Sequence, residues 1–342
     1  MYVRRLIFVV SCLLFLWGHP LLAQEKAYPK NGEGIELFLK RFGRVGYSYQ
    51  KEFIRLNKSK LGRNNMLING VQYTLPPLHD EEEVQTTSRR RTQTEKAGKR
   101  KGYEPLFGKQ YAAYETISSE LKGATFYLVS GHGGPDPGAI GKMGNHRLCE
   151  DEYAYDIILR VARNLMMRGA KVHIIIQDAK DGIRDGMYLN NSKRETCMGS
   201  TIPLNQVKRL KQRCDKINSL MKQDPSAYKR ALFIHVDSRS RNKQMDVFFY
   251  HAGSRAGKKL ANTVRDTFKR KYAHHQPGRG FKGTVSQRNL YVLRNAQPVS
   301  LFIEIGNIQN KYDLQRIVLS NNRQALANWI CEGFIQDYKN SK

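Results

Sequence analysis

The sequence predicts an α/β fold: a mostly parallel twisted sheet with helices on both faces, preceded by a small separate unit and a charged linker. Three observations carry this. From Tyr103 onward, short apolar runs alternate with longer stretches of helical spacing, the pattern of strands joined by crossover helices. The apolar run Phe126 to Val129 feeds Leu128-Val-Ser-Gly-His-Gly-Gly-Pro-Asp-Pro-Gly-Ala-Ile-Gly141, a strand delivering a histidine into a glycine-rich, backbone-exposed turn. And the stretch from His79 to Gly102 has almost no apolar residue, so it separates a short N-terminal unit from a larger C-terminal one.

At 342 residues there is room for one large domain and a smaller one, and 40% hydrophobic with 26% charged residues is the mixture of a globular protein. The formal net charge of +28 calls for an anionic partner, for which nucleic acid, anionic lipid and anionic cell-wall polymer all qualify. Residues 1–23 narrow that choice. Arg4 and Arg5 precede an apolar run from Leu6 to Trp17, and Leu21-Leu22-Ala23 sets a small residue before polar Gln24. This is the pattern of a cleaved secretory signal, too short to span a bilayer. The rival readings are a signal anchor and lipidation at Cys12, whose Val9-Val10-Ser11-Cys12 resembles a bacterial lipobox. The apolar run continuing past Cys12 argues against lipidation. Export predicts a periplasmic or secreted protein without stable membrane insertion, and turns the charge away from nucleic acid toward a wall or envelope polymer. Four cysteines would remain, Cys149, Cys197, Cys214 and Cys331, and their spacing matches no zinc ribbon or redox pair.

Residues 28–77 read as a small unit. Ile35 to Phe42 and Tyr49 to Leu56 show helical spacing, and the runs 67–70 and 71–75 are strand-like. The pieces Gly32-Glu33-Gly34-Ile35, Arg41-Phe42-Gly43, Leu56-Asn57 and Tyr73-Thr-Leu-Pro76 resemble a lysin motif, a strand-helix-helix-strand module. The resemblance implies binding to the glycan of peptidoglycan or chitin. Residues 78–102 follow as a charged linker, with Asp80-Glu-Glu-Glu83 answered by Arg89-Arg-Arg91 and Lys99-Arg-Lys101.

Residues 103–342 form the main domain. Strands are expected at 125–130, 171–177, 231–237, 246–251, 290–294 and 300–305, and helices at 112–121, 152–168, 204–221, 254–272 and 321–338. The helix near 152 carries Tyr155, Leu159, Ala162 and Met166 on one stripe and stops at Gly169. The polar stretch 178–203 reads as an excursion at the rim of the sheet, the kind of segment that often serves as a lid.

In open α/β sheets, sites form outside the carboxyl ends of the strands. His132 follows the first strand, His235 lies in Leu232-Phe-Ile-His-Val-Asp237, and Glu304 lies in Leu301-Phe-Ile-Glu-Ile-Gly306. Glu150 and Glu152 open the helix after the glycine loop, where acids also complement the helix dipole. Two histidines and one carboxylate make a three-ligand zinc (Zn2+) set with a fourth position left for water, and a further carboxylate serves as general base. Glu304, flanked by Ile303 and Ile305, is costly to bury without such a role.

These residues sit in motifs that resemble the zinc-dependent N-acetylmuramoyl-L-alanine amidase family. They are Gly131-His132-Gly-Gly-Pro-Asp136-Pro-Gly138-Ala139, then Ile234-His235-Val-Asp237, then Leu290-Tyr-Val-Leu-Arg294-Asn, then Phe302-Ile-Glu304-Ile-Gly306 with Asn310. The segment Val207 to Asn218 resembles the Arg- and Asn-containing helix that precedes the second histidine strand. The resemblance implies a hydrolase cutting the amide between N-acetylmuramic acid and the L-alanine of the stem peptide. It makes His132 and His235 metal ligands, Glu304 the catalytic carboxylate and Arg294 a residue that positions a substrate carboxylate. The third ligand is Glu152 or Glu150, with Glu152 preferred because it needs the smaller insertion against the family pattern. Asn307 stands where the family usually has an aromatic and Gln309 where it has a small residue. The rival readings are a zinc carboxypeptidase acting on stem peptides and a non-catalytic peptidoglycan-binding protein, and an activator protein is left open.

Overall fold

The computed structural model describes residues 25–30, 33–44, 47–62, 65–78, 101–239, 244 and 246–342. The expected signal with Cys12, and nearly all of the charged linker, lie outside the described residues. The chain divides into two compact units, residues 1–94 and 95–342.

In the first unit, β1 (Lys26–Ala27), α1 (Ile35–Lys40), α2 (Tyr47–Leu56) and β2 (Tyr73–Thr74) follow one another, and β1 pairs antiparallel with β2. β1 lies just ahead of the expected start at residue 28. Phe38, Phe53 and Tyr73 are completely buried, with ring centroids 5.5 to 6.1 Å apart. Buried Asn57 ties helix to strand: its amide donates to the carbonyls of Phe53 and Thr74, and its Oδ1 accepts from the Thr74 N–H. A buried amide with its groups satisfied in this way fixes one arrangement of the elements around it.

The second unit opens with the hairpin of β3 (Lys101–Tyr103) and β4 (Ala113–Glu115). The helix expected over 112–121 is therefore absent. The Tyr114 ring lies over Gly102, where an added Cβ would fall 2.3 Å from it, so cross-strand packing overrides local helix propensity. Next come β5 (Ala124–Ser130), the hairpin of β6 (Ile140–Met143) and β7 (His146–Cys149), and α3 (Glu150–Met166). β8 (Lys171–Ile174), β9 (Ile176–Gln177), β10 (Thr196–Cys197), β11 (Ser200–Thr201) and α4 (Gln206–Lys222) follow. The chain continues through β12 (Tyr228–Asp237), β13 (Phe248–His251), α5 (Arg255–His275), β14 (Thr284–Gln287) and α6 (Tyr291–Asn295). It ends with β15 (Val299–Asn307), α7 (Lys311–Val318) and α8 (Ser320–Lys339).

Six strands form one sheet in the order β14-β13-β15-β12-β5-β8. Neighbours run parallel except β13 and β15, which are antiparallel. The period of two along a strand divides the core. Phe126, Leu128, Leu232, Ile234, Leu301 and Ile303 pack with residues of α3, α5, α7 and α8. Tyr127, Val129, Ala231, Phe233 and Phe302 pack with residues of α4 and α6. Both faces are thus covered by helices.

The expected strand at 290–294 is a helix instead. Val292 and Leu293 bury against the second core while Arg294 and Asn295 face solvent, an arrangement a one-turn helix at the sheet face accommodates. β14 and α7 have no counterpart among the expected elements. The excursion 178–203 carries the β10–β11 hairpin, which pairs with β9 in a small three-stranded sheet. Cys149, Cys197, Cys214 and Cys331 are all buried and unbridged. Among the described residues no helix is long and apolar enough to cross a membrane.

Candidate active site

His132 follows β5 directly and has the left-handed backbone conformation, φ 58°. The glycine loop makes that turn workable, and two glycines are needed for close approach. A Cβ on Gly131 would lie 2.5 Å from the His235 ring, and one on Gly138 would lie 2.7 Å from both His132 and Glu150. His235 sits near the carboxyl end of β12, paired in register with Glu304 on the adjacent parallel β15. Parallel pairing therefore brings the second histidine and the core carboxylate side by side, as expected of residues at strand ends.

The structure brings Glu150, not Glu152, to the two histidines. Glu150 Oε1 lies 2.9 Å from His235 Nδ1, and Oε2 lies 3.3 Å from His132 Nε2. Its carboxylate is held by backbone, accepting from the Val236 N–H at 2.9 Å and the Ala139 N–H at 2.8 Å. The two imidazole rings are 5.0 Å apart, centre to centre. One donor atom from each of His132, Glu150 and His235 lies within 4.8 Å of the others, a grouping that fits a metal ion. Glu152 points elsewhere on the helix. It pairs with Arg184 at 2.8 Å and accepts from the Ser192 N–H, which pins the excursion 178–203 to α3. It also groups with Asp151 and Glu195, and Glu195 accepts from the Gly134 N–H at 2.8 Å.

His132 is oriented from behind. Its Nδ1 lies 2.8 Å from Asp136 Oδ2, Arg209 from α4 pairs with that same carboxylate, and Arg213 donates to the His132 carbonyl. Burial works against a charge on His132, but Asp136 and Glu150 outweigh it and push its pKa up to about 10. Burial likewise opposes charge on Glu150, and the two histidines nonetheless hold its carboxyl well below the usual range. His235 is shifted the other way, with burial lowering its pKa. Glu304 is pushed up to about 8 by burial, with the Glu150 and Asp237 charges adding to it. Its Oε2 is buried without a hydrogen-bond partner among the described residues.

These groups line one open cleft of about 340 Å³, together with Arg239, Tyr250, Arg288, Leu290 and Phe302. Arg239 is engaged by Asp237 and by the Tyr250 hydroxyl at 3.0 Å, while Arg288 lies over the Tyr250 ring at 5.2 Å. Arg294, the arginine expected to position substrate, is not among the lining residues and is exposed on α6.

Comparison with protein-family models decides the identity: residues 127–336 match the model described as N-acetylmuramoyl-L-alanine amidase. The chain belongs to that family. Solved structures similar to this amidase include the N-acetylmuramoyl-L-alanine amidase AmiC2 of Nostoc punctiforme, at 20% identity and TM-score 0.46, covering 64% of this chain and 98% of that one. The N-acetylmuramoyl-L-alanine amidase from Clostridium difficile 630 stands at 22% identity and TM-score 0.47, with 64% and 98% covered. The amidase Ami1 of Mycobacterium smegmatis stands at 18% and 0.46, with 64% and 99% covered. No curated protein matches the chain.

The protein is accordingly a peptidoglycan hydrolase acting on the amide between N-acetylmuramic acid and L-alanine. An open cleft rather than a closed pocket suits a substrate that is part of a polymer. Sequence reasoning gave no role to several residues that line the amidase cleft or hold His132 from behind. Asp136 is four residues from His132 inside the glycine-loop motif, and Arg209 lies in the helix spanning Val207 to Asn218, so both carried a positional signal. Arg239, four residues after His235 and held by Asp237, carried a similar signal, whereas Tyr250 and Arg288 had none, since only the sheet topology gathers them. The two departures from the family pattern organise the turn after β15. Asn307 Oδ1 accepts from the Gln309 N–H at 2.9 Å, and the Gln309 side chain donates to the Ile140 carbonyl.

Proposed function

We propose that this amidase is zinc-dependent, with His132, Glu150 and His235 holding the metal and Glu304 acting as general base. What supports the reading is the convergence of two imidazoles and one carboxylate beside a second carboxylate whose oxygen has no protein partner among the described residues. The donor set fits zinc: nitrogen and oxygen ligands, three from the protein, with the remaining side facing the cleft. Asp136 takes the Nδ1–H of His132 and so turns Nε2 toward Glu150 as the ligating atom. Ligation needs that histidine neutral, so metal uptake releases a proton.

Zinc, when bound, supplies a Lewis acid that polarises the scissile carbonyl and acidifies water. Glu304 accepts a proton from the attacking water and returns it to the leaving amine of L-alanine. Burial and the neighbouring Glu150 and Asp237 carboxylates raise its proton affinity, so that it can take the proton and hold it until the amine leaves. The test is digestion of purified peptidoglycan. The new ends should be a free lactyl carboxyl on muramic acid and intact stem peptides beginning with L-alanine. Activity should disappear in chelator and return with zinc. Release of D-amino acids instead, or full activity in chelator, overturns the reading.

The remaining regions complete the proposal. Residues 1–23 direct export, 78–102 act as a tether, and 28–77 bind wall glycan as a lysin-motif-like module. Support for the last comes from the strand-helix-helix-strand order and the antiparallel β1–β2 pair. Deleting residues 25–78 should reduce co-sedimentation with insoluble wall at high salt, where charge attraction is screened. Undiminished co-sedimentation removes the module from the proposal.

A further inference from the structure

A second concavity of about 210 Å³ lies among α5, α7, α8 and the turn after α5, and shares no lining residue with the catalytic cleft. Its composition is unusual for a stray hollow: aromatic rings and side-chain amides, with two arginines. The arginines are already neutralised. Arg316 pairs with Asp313 at 3.1 Å and Asp246 at 3.3 Å and donates to the Tyr272 hydroxyl at 2.8 Å. Arg279 pairs with Asp246 too, and lies over the Tyr272 ring at 4.4 Å. Two cations thus meet two carboxylates, and little net charge is left to hold an anion.

The groups that face the cavity unspent are neutral. The side chains of Gln276 and Gln315, the Trp329 indole N–H and the Tyr312 hydroxyl make no hydrogen bond to protein among the described residues. The Trp329 ring is held by Phe268 (5.4 Å) and Tyr272 (5.0 Å) at steep angles and by His275 stacked parallel at 6.0 Å, while Tyr312 stays 57% exposed. An apolar ligand would leave the amides unmatched, and a charged one would find its countercharge taken. A sugar meets both demands. Its C–H face packs on an aromatic ring, and an acetamido group pairs donor to acceptor and acceptor to donor with a glutamine amide. The volume equals about seven waters at ~30 Å³ each, enough for roughly one sugar unit.

We propose that this cavity is a second saccharide site, taking an N-acetylated sugar on the helix layer of the catalytic unit, apart from the cleft where the amide is cut. It does not depend on the zinc assignment.

The sequence supplies a reporter, because Trp17 and Trp329 are its two tryptophans. In the full chain carrying Trp17→Phe, emission comes from Trp329 alone, and the first unit contributes none. Titration with the β-1,4-linked trimer of N-acetylglucosamine should give a saturable change in that emission. Tyr312→Ala and Gln315→Ala, both at exposed positions, should each weaken it about fivefold to tenfold while hydrolysis of soluble muropeptide stays unchanged. A trimer bound more tightly than the monosaccharide assigns the site to polymeric glycan, and equal affinity assigns it to free sugar. Both outcomes support a saccharide site. An equal response to a glucose trimer overturns acetamido recognition, and no emission change at millimolar trimer overturns the site. Hydrolysis measured in parallel keeps either failure distinct from a failure of the catalytic reading.

Discussion

Glu150 and Glu152 open the same helix two residues apart, are equally buried, and do unrelated things. At about 100° per residue the two side chains leave α3 roughly 200° apart. Glu150 turns toward the carboxyl end of β12, where the Ala139 and Val236 N–H groups grip its oxygens and aim them at the histidines. Glu152 turns toward the excursion and meets Arg184 and the Ser192 N–H. One acid is the proposed ligand because imidazoles surround it; the other meets a guanidinium and ties the excursion to the helix. The lesson is that carboxylate chemistry here is set by helix register and by the partner, not by burial.

The sharpest way to break that contrast is to neutralise each acid in turn. Glu150→Gln should lose most of its zinc by elemental analysis, and activity with it, by about 10² or more. Glu304→Gln should lose a comparable factor of about 10² to 10⁴ in rate with zinc content near normal, because a general base moves a proton without holding the metal. Full metal in Glu150→Gln, or full activity in Glu304→Gln, would sink the assignment. Glu152→Gln should keep its zinc and its rate within about threefold, and lower unfolding stability by about 1–3 kcal/mol through the weakened Arg184 contact. Loss of zinc in this variant would return Glu152 to the ligand set.

The smallest effect sharpens the fastening side. Asp178 accepts from the Ser192 hydroxyl at 2.7 Å, inside the same excursion. Burial opposes its charge, yet the Lys180 N–H, the Ser192 hydroxyl and Arg194 hold its carboxyl below the usual range. An acid whose pKa is lower folded than unfolded contributes stability above its unfolded pKa of about 3.9 and loses it as pH falls through the folded value. The difference in Tm between wild type and Asp178→Asn should therefore narrow below about pH 4. A difference that stays constant from pH 6 to pH 3 contradicts this.

Much of the fold was legible because core strands write themselves as apolar runs. β5, β12 and β15 fall within a few residues of expectation, and the long helices announce themselves by spacing. Where legibility failed, local signals were ambiguous. Leu290-Tyr-Val-Leu is too short an apolar run for periodicity to tell strand from helix, and the structure makes it α6. The start of α3 was misplaced by two residues because its N-cap is Cys149, which makes no side-chain cap hydrogen bond and leaves only the acidic run 150–152 to mark the first turn. Glu152 was favoured because it needs the smaller insertion against the family pattern, whereas the structure places Glu150 beside the two histidines. His132, His235 and Glu304 were readable because each sits at a strand end in a distinctive motif. Tyr250 and Arg288 were not, because only tertiary assembly brings them to the cleft.

The four sealed cysteines carry a consequence of their own. Burial raises all four thiols above their ordinary pKa, Cys214 to about 11 and Cys331 to about 12. Thiolate, the reactive form, is thus scarce, and reagent cannot reach it while the packing holds. Alkylation or oxidation of these four thiols becomes a clock for structural opening rather than a probe of sulfur chemistry. How long these four survive an oxidant is a kinetic property of the core, fixed by how often the core breathes.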